Sequence, residues 1–196
     1  CAGLVAVDLA QAVAYANGTY FHRGPKGIVS DLRGFARTPV DFLPRFLELT
    51  ATTGADAVRD LAETLLAATA EFLGDDDAAP VPPRPPAGAP AVVDPAELAS
   101  LYEEITSSFT KVRVACEAGN AALAFITAVN LQDCLDSEVP EAAGLPGLLA
   151  AHDPRDLFRL HARADEAERA LVRFVEDAGA RITRYPDLEA FLAANP

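Results

Sequence analysis

Residues 157–178 read LFRLHARADEAERALVRFVEDA. Leu157, Leu160, Ala164, Ala167, Leu171, Phe174 and Ala178 recur in alternating steps of three and four, the spacing of one helical face. Arginines and acids fill most of the positions between them. Just ahead, Asp153-Pro154-Arg155-Asp156 combines a cap oxygen with a proline in the first turn, which is a helix start. The spacing predicts the longest regular helix of the chain, ending at Asp177. Its apolar face is the seam of an antiparallel helix pair or a short coiled coil. No stretch alternates apolar and polar residues with a strand's period of two. Rossmann, TIM-barrel and P-loop architectures are therefore excluded, and the fold class is all-α.

Reading outward, the same period recurs. Pro186–Ala194 forms a last helix carrying Leu188, Phe191 and Leu192. Upstream of the quoted stretch, Val139–Leu149 is a connection broken by proline and glycine, with a short helical piece. Ala121 to Asp136 is apolar on nearly every side (Leu123, Ala124, Phe125, Ile126, Ala128, Val129, Leu131), the mark of a central helix. Within it Thr127, Asn130 and Gln132 need partners. Asn130 either lines a pocket or bonds a neighbouring carbonyl. Gly119-Asn120 is a turn. Before it, Asp94-Pro95-Ala96-Glu97 opens a helix whose stripe is Leu98, Leu101, Ile105, Phe109, Val112 and Cys116.

The first part of the chain adds four helices. Leu4–Phe21 is stopped by Gly24-Pro25, and Lys26–Arg37 groups Ile28, Leu32 and Phe35. Thr38-Pro39-Val40-Asp41 caps a helix bearing Phe42, Leu43, Phe46, Leu47 and Leu49. Thr53-Gly54-Ala55-Asp56 caps another that runs to Leu73. The expectation is about seven to eight helices in two blocks, 1–74 and 96–196.

Between the blocks, residues 74–95 read GDDDAAPVPPRPPAGAPAVVDP. Prolines lack the N–H that a helix needs, so 75–95 reads as an extended linker after a C-capping Gly74. Asp75, Asp76 and Asp77 are either a solvated entry to that linker or an acidic metal-binding run. Pro82–Pro86 offers a PxxP pattern. Both blocks have apolar surface to spare, around Phe42–Leu49 and Ala121–Leu131. The linker is thus expected to be an excursion from one continuous bundle.

The 196 residues carry a formal charge of −13. That balance argues against DNA and general nucleic-acid binding, which needs excess Lys and Arg. No apolar run is long enough to span a bilayer, so no membrane role is expected. Three cysteines form no disulfide framework and point to a reducing, cytoplasmic setting. A start at Cys1 with no methionine anywhere suggests that a preceding portion is missing.

Charge is unevenly spread. Residues 1–74 hold six Lys/Arg against eight Asp/Glu, and residues 96–196 hold nine against seventeen. Inside the first block the cations cluster: His22, Arg23, Lys26, Arg33, Arg37. On the expected helix Lys26, Ser30, Arg33 and Arg37 share one face, which makes a candidate anion site. The alternative is a solvated face paired with Asp31, Asp41 or the acidic second block. Arg155 and His161 form a second candidate. Their spacing resembles the Arg-x(4–6)-His signature of HEPN-type ribonucleases, which implies action on an RNA 2′-OH and phosphate. His22, His152 and His161 lack metal-ligand spacing, so no metal site is expected. Cys116 and Cys134 read as core thiols.

Tyr15-Ala16-Asn17-Gly18-Thr19-Tyr20-Phe21, continuing to Pro25-Lys26, resembles the helical region that follows the catalytic domain in small-molecule nucleotidyltransferases. Leu101-Tyr102-Glu103-Glu104-Ile105, with Lys111, Cys116, Glu117, Phe125 and Leu131-Gln132, is similar in kind. The resemblance implies that Asn17, Tyr20 and Lys26 border a cleft, with Lys26 facing nucleotide phosphates. That family's Gly-Ser loop and paired metal-binding aspartates do not occur here. The implied part is therefore non-catalytic and holds no cofactor of its own; Mg²⁺ and nucleotide come with the resemblance. The leading expectation is an accessory or substrate-binding domain that takes a phosphate-bearing or acidic small ligand and adjoins a preceding N-terminal domain or protein partner. The alternatives are a helical protein-interaction scaffold and a HEPN-like ribonuclease.

Overall fold

In the computed structural model, residues 2–74, 94–183, 185 and 187–194 are described. They form eight α-helices and no strand: α1 Ala2–Ala16, α2 Ile28–Gly34, α3 Phe42–Thr50, α4 Ala55–Leu73, α5 Pro95–Glu117, α6 Ala121–Glu138, α7 Phe158–Asp177 and α8 Leu188–Ala194. The expected all-α bundle is what the chain adopts. Asp75–Asp77 and Pro80–Pro90, with the metal and PxxP readings placed on them, lie outside the described residues. Among the described residues no helix is long and apolar enough to cross a membrane.

Several boundaries differ from expectation. α1 ends at Ala16, five residues short of Phe21, because Gly18 adopts a left-handed φ of 70°. Thr19 N–H then bonds Ala14 O and Gly18 N–H bonds Tyr15 O, which satisfies the last carbonyls of the helix. The expected helix Lys26–Arg37 is split into a 3-10 turn, Gly24–Lys26, and the seven residues of α2. α3 starts at Phe42 without a Thr38 cap. Its N-cap Asp41 sits at φ 55°, the one positive-φ non-glycine among the described residues. α7 begins at Phe158, so Arg155 precedes the helix, and its 20 residues are fewer than the 23 of α5. Toward its end the buried stripe passes through Val175 rather than Phe174 and Ala178, since 3.6 residues per turn drifts from a seven-residue repeat.

The Asp94 cap works as the sequence suggests, and Asn120, expected only as part of a turn, caps α6 as well. Asp94 accepts from Ala96 N–H at 2.9 Å, and Asn120 accepts from Leu123 N–H at 3.1 Å. Gly74 closes α4 in the left-handed region.

Two apolar clusters form around α6. One joins α5, α6 and α7 through Phe109, Val112, Leu131, Leu160 and Leu171. The other joins α1, α2, α3 and α4 through Val13, Phe42, Phe46, Leu49 and Leu65, and it also takes in Phe125, Ile126 and Val129 of α6. α6 thus gives Ala124, Ala128, Leu131 and Leu135 to one cluster and its other face to the second. In helix α6 every residue from Ala124 to Val129 is buried, as the all-round apolarity implies. Contact with α1 is made at Gly3, where a side chain would collide with Val129 and Phe125.

Candidate functional site

The loop after α1 carries most of the predicted site residues, and the structure gives them unequal roles. Asn17 is a structural clamp. Its Nδ2 donates to Val13 O at 2.8 Å and to Arg37 O at 2.6 Å, and its Oδ1 accepts from Arg37 N–H at 3.1 Å. A side-chain amide that takes both backbone groups of one residue holds that residue as a strand partner would. Asn17 thereby draws Arg37 out of any helix continuing α2, which ends at Gly34. Lys26 lies in the 3-10 turn and Arg37 beyond the end of α2, so Lys26, Ser30, Arg33 and Arg37 do not share one helical face, contrary to expectation.

Arg23 is also engaged. Its Nη2 donates to Ser30 Oγ at 2.6 Å and to Asp31 Oδ1 at 3.1 Å. The Arg37 guanidinium lies over the Phe72 ring, 5.4 Å from its centroid. Lys26 and Arg33 are exposed. Tyr20 is 56% exposed and its ring centroid is 4.0 Å from that of His22, also exposed. The loop therefore presents an open aromatic pair followed within a few residues by cations. Beneath it, Phe21 is buried and stacks on Phe35 at 5.9 Å, which anchors the loop to the core.

A second polar constellation runs along the α5–α7 seam, largely unanticipated from sequence. Glu168 accepts from Arg113 Nη1, from Tyr102 Oη at 3.1 Å and from Thr106 Oγ1 at 3.3 Å. Arg113 Nη1 also reaches Asp165 Oδ1 at 3.2 Å. Burial opposes the Arg113 charge, yet the Glu168 bond and charge, with Asp165 behind, hold its pKa above the ordinary value. His161 continues the series, with Nε2 at 3.3 Å from Glu117 and Nδ1 at 3.5 Å from Asp165. Arg113 thus stands between two carboxylates, Asp165 and Glu168. The available signal was the spacing of His161, Asp165 and Glu168, four and three apart on one face of α7.

The two carboxylates at His161 face opposite ring nitrogens and cannot converge with it on one ion. Among the described residues no group of three metal-ligating side chains forms. Arg155 is exposed and its N–H bonds Asp153 Oδ1 at 2.9 Å, ahead of the helix that holds His161. The two residues of the expected ribonuclease pair therefore do not lie on one continuous helix. Asn130 is exposed rather than buried, and donates to Ile126 O at 2.8 Å. The neighbouring carbonyl is thus the partner of its amide. Gln132 accepts from Leu148 N–H at 2.6 Å and fixes the connection before α7.

Neither thiol is set up as a nucleophile. Burial, then Glu117, pushes the Cys116 thiol up to about 11, and burial followed by nearby carboxylates raises Cys134 as well. Beside the seam, Tyr102, Glu168, Arg169, Val172 and Arg173 line an open groove of about 500 Å³.

An all-α bundle with a cationic aromatic loop and a charged helix seam is the class these features define. No protein-family model, no curated protein and no solved structure matches this chain.

Proposed function

We propose that this chain is a non-catalytic helical module of a nucleotidyltransferase-like protein, which holds a nucleotide or other phosphate-bearing ligand at the loop of residues 18–26. The observation that carries the reading is the exposed Tyr20–His22 ring pair, followed along the chain by the exposed cations Lys26 and Arg33, in a chain whose net charge is −13. A flat exposed ring stacks on a base, and nearby cations neutralise phosphate oxygens. Tyr20 supplies the stacking face, Lys26 and Arg33 the charge. Arg23, already tied to Asp31, orders the loop, and Asn17 fixes its base to Arg37.

Mg²⁺ fits this reading only as a companion of the nucleotide. Asp31, the acid on α2, is engaged by Arg23, so the loop offers no free carboxylate pair to hold the ion itself. Catalytic groups would come from a preceding domain.

Calorimetric titration with Mg²⁺-ATP tests the proposal. Lys26→Ala and Tyr20→Ala should each weaken binding about tenfold, equivalent to about 1.4 kcal/mol. Asn17→Ala should lower thermal stability more than affinity. Absence of binding by the unaltered chain, or affinity unchanged in both loop variants, would overturn it.

A second reading rests on a different observation, the open groove beside the α5–α7 seam. A surface of that kind suits a helical protein-interaction scaffold. The ribonuclease alternative draws no support from His161, whose ring is bracketed by two carboxylates that would repel an RNA phosphate.

A further inference from the structure

Gly27 has an ordinary backbone, φ −86° and ψ −26°, which any residue adopts. What it lacks is room. A Cβ there would stand 2.8 Å from Asp31 Oδ2 and 3.4 Å from Arg23 Cβ. The bare Cα is thus the seat of the Asp31 carboxylate, which folds back over it and presents Oδ1 to Arg23 Nη2 at 3.1 Å. Ser30 Oγ donates to Gly27 O at 2.9 Å and accepts from the same Nη2 at 2.6 Å.

This pair exchanges at little cost. The Arg23 side chain is 64% exposed and that of Asp31 27%, so solvent screens their attraction. A terminal phosphate carries more charge than a carboxylate, and its oxygens match the guanidinium fork. Once Arg23 turns to a ligand, Ser30 Oγ, 3.1 Å from Asp31 Oδ1, can donate to that oxygen instead. Gly27 O then keeps the Asp31 N–H, which it already accepts at 2.8 Å. Release of Arg23 therefore leaves none of these groups without a partner.

We propose that Arg23 is a further phosphate contact of the loop of residues 18–26, and that Asp31 occupies it as an internal stand-in until a phosphate displaces the carboxylate. The inference rests on the nucleotide reading above and adds a restraint to it. Apparent affinity is reduced to the extent that Arg23 stays on Asp31 in the free chain, so the carboxylate sets how tightly phosphate is held. Gly27 shares in that restraint, because its missing side chain is what lets the carboxylate sit there.

Calorimetric titration with Mg²⁺-ATP and with inorganic triphosphate tests the exchange. Asp31→Asn should tighten both about two- to fivefold, the weight of an exposed ion pair. Gly27→Ala, which unseats the carboxylate without altering charge, should tighten both in the same direction. In an Arg23→Ala background Asp31→Asn should bring no gain, because the group it frees is gone. That arm separates exchange from the general effect of removing one negative charge, which acts with or without Arg23. Binding by the unaltered chain that neither Asp31→Asn nor Gly27→Ala tightens overturns the inference and leaves the nucleotide reading in place. So does a gain that persists without Arg23, or one seen with ATP and not with triphosphate. No binding by any of these proteins overturns both.

Discussion

His152 Nε2 lies 2.9 Å from the carbonyl oxygen of Thr50, 102 residues away in sequence. The contact ties the connection before α7 to the end of α3, across the two apolar clusters. A carbonyl only accepts, so the ring proton sits on Nε2. Nδ1 is buried with no hydrogen-bond partner in the structure, and the ring centroid is 5.0 Å from that of Phe125. Burial pushes the His152 pKa down, and the Thr50 bond and the charge of Asp153 offset this only in part.

The pH dependence follows from that direction. In the unfolded chain His152 takes a proton near its ordinary value of about 6.5, while the folded chain resists until lower pH. Below about pH 6.5 the unfolded state binds more protons, so stability falls as pH drops through this range and is complete above it. Denaturant unfolding at about pH 7.5 and about pH 5.5 should show the loss. His152→Gln keeps a donor for Thr50 and cannot titrate there, so its unfolding should be less pH-dependent. An equal slope in both proteins would mean that another group carries the effect.

Gly3 tests how closely α1 approaches α6. Alanine normally gains about 1 kcal/mol over glycine inside a helix. Here its Cβ would stand 2.7 Å from Val129 Cγ2 and 2.9 Å from Phe125 Cζ. Overpacking of that kind costs about 1–3 kcal/mol, enough to reverse the sign. Thermal unfolding of Gly3→Ala should show a lower Tm. At Gly34, where nothing lies within 4 Å of the added Cβ, Gly34→Ala should leave Tm unchanged or raised.

Arg113 tests the seam. Its side chain is 21% exposed and that of Glu168 is 18% exposed, so neither charge is freely solvated. Arg113→Met leaves Glu168 and Asp165 facing each other with their counter-charge gone, at a cost of about 1–3 kcal/mol. Adding Glu168→Gln should return part of that loss, because the amide still accepts from Tyr102 and Thr106. A double-mutant cycle by urea unfolding measures the coupling, and strict additivity would show that the pair acts independently.

The helices were legible because apolar period, caps and breakers agreed along most of the chain. Asp94, Gly74 and the stripe through Leu160, Ala164, Ala167 and Leu171 stand as read. The miss at α2 has a tertiary cause. Past Gly34 the chain is extended, and Arg37 is held there by Asn17, twenty residues earlier, which takes its N–H and C=O, a contact that no local preference reports. The same bond makes Asn17 a clamp, while the Arg37 guanidinium is turned to the Phe72 ring. Arg113 was invisible for the opposite reason. A single arginine among the acids of α5 looks like surface until antiparallel packing sets Asp165 and Glu168 beside it.

The two-sided burial of α6 bears on how the gene for this protein can be divided. A piece comprising residues 94–196 would bare Phe125, Ile126 and Val129, and a piece comprising residues 1–74 would bare the surface they cover. Each half made alone should expose that surface and lose stability, although the proline-rich stretch between them looks like a natural place to cut. Made separately and mixed, the halves are complementary fragments, each supplying the apolar surface that the other needs.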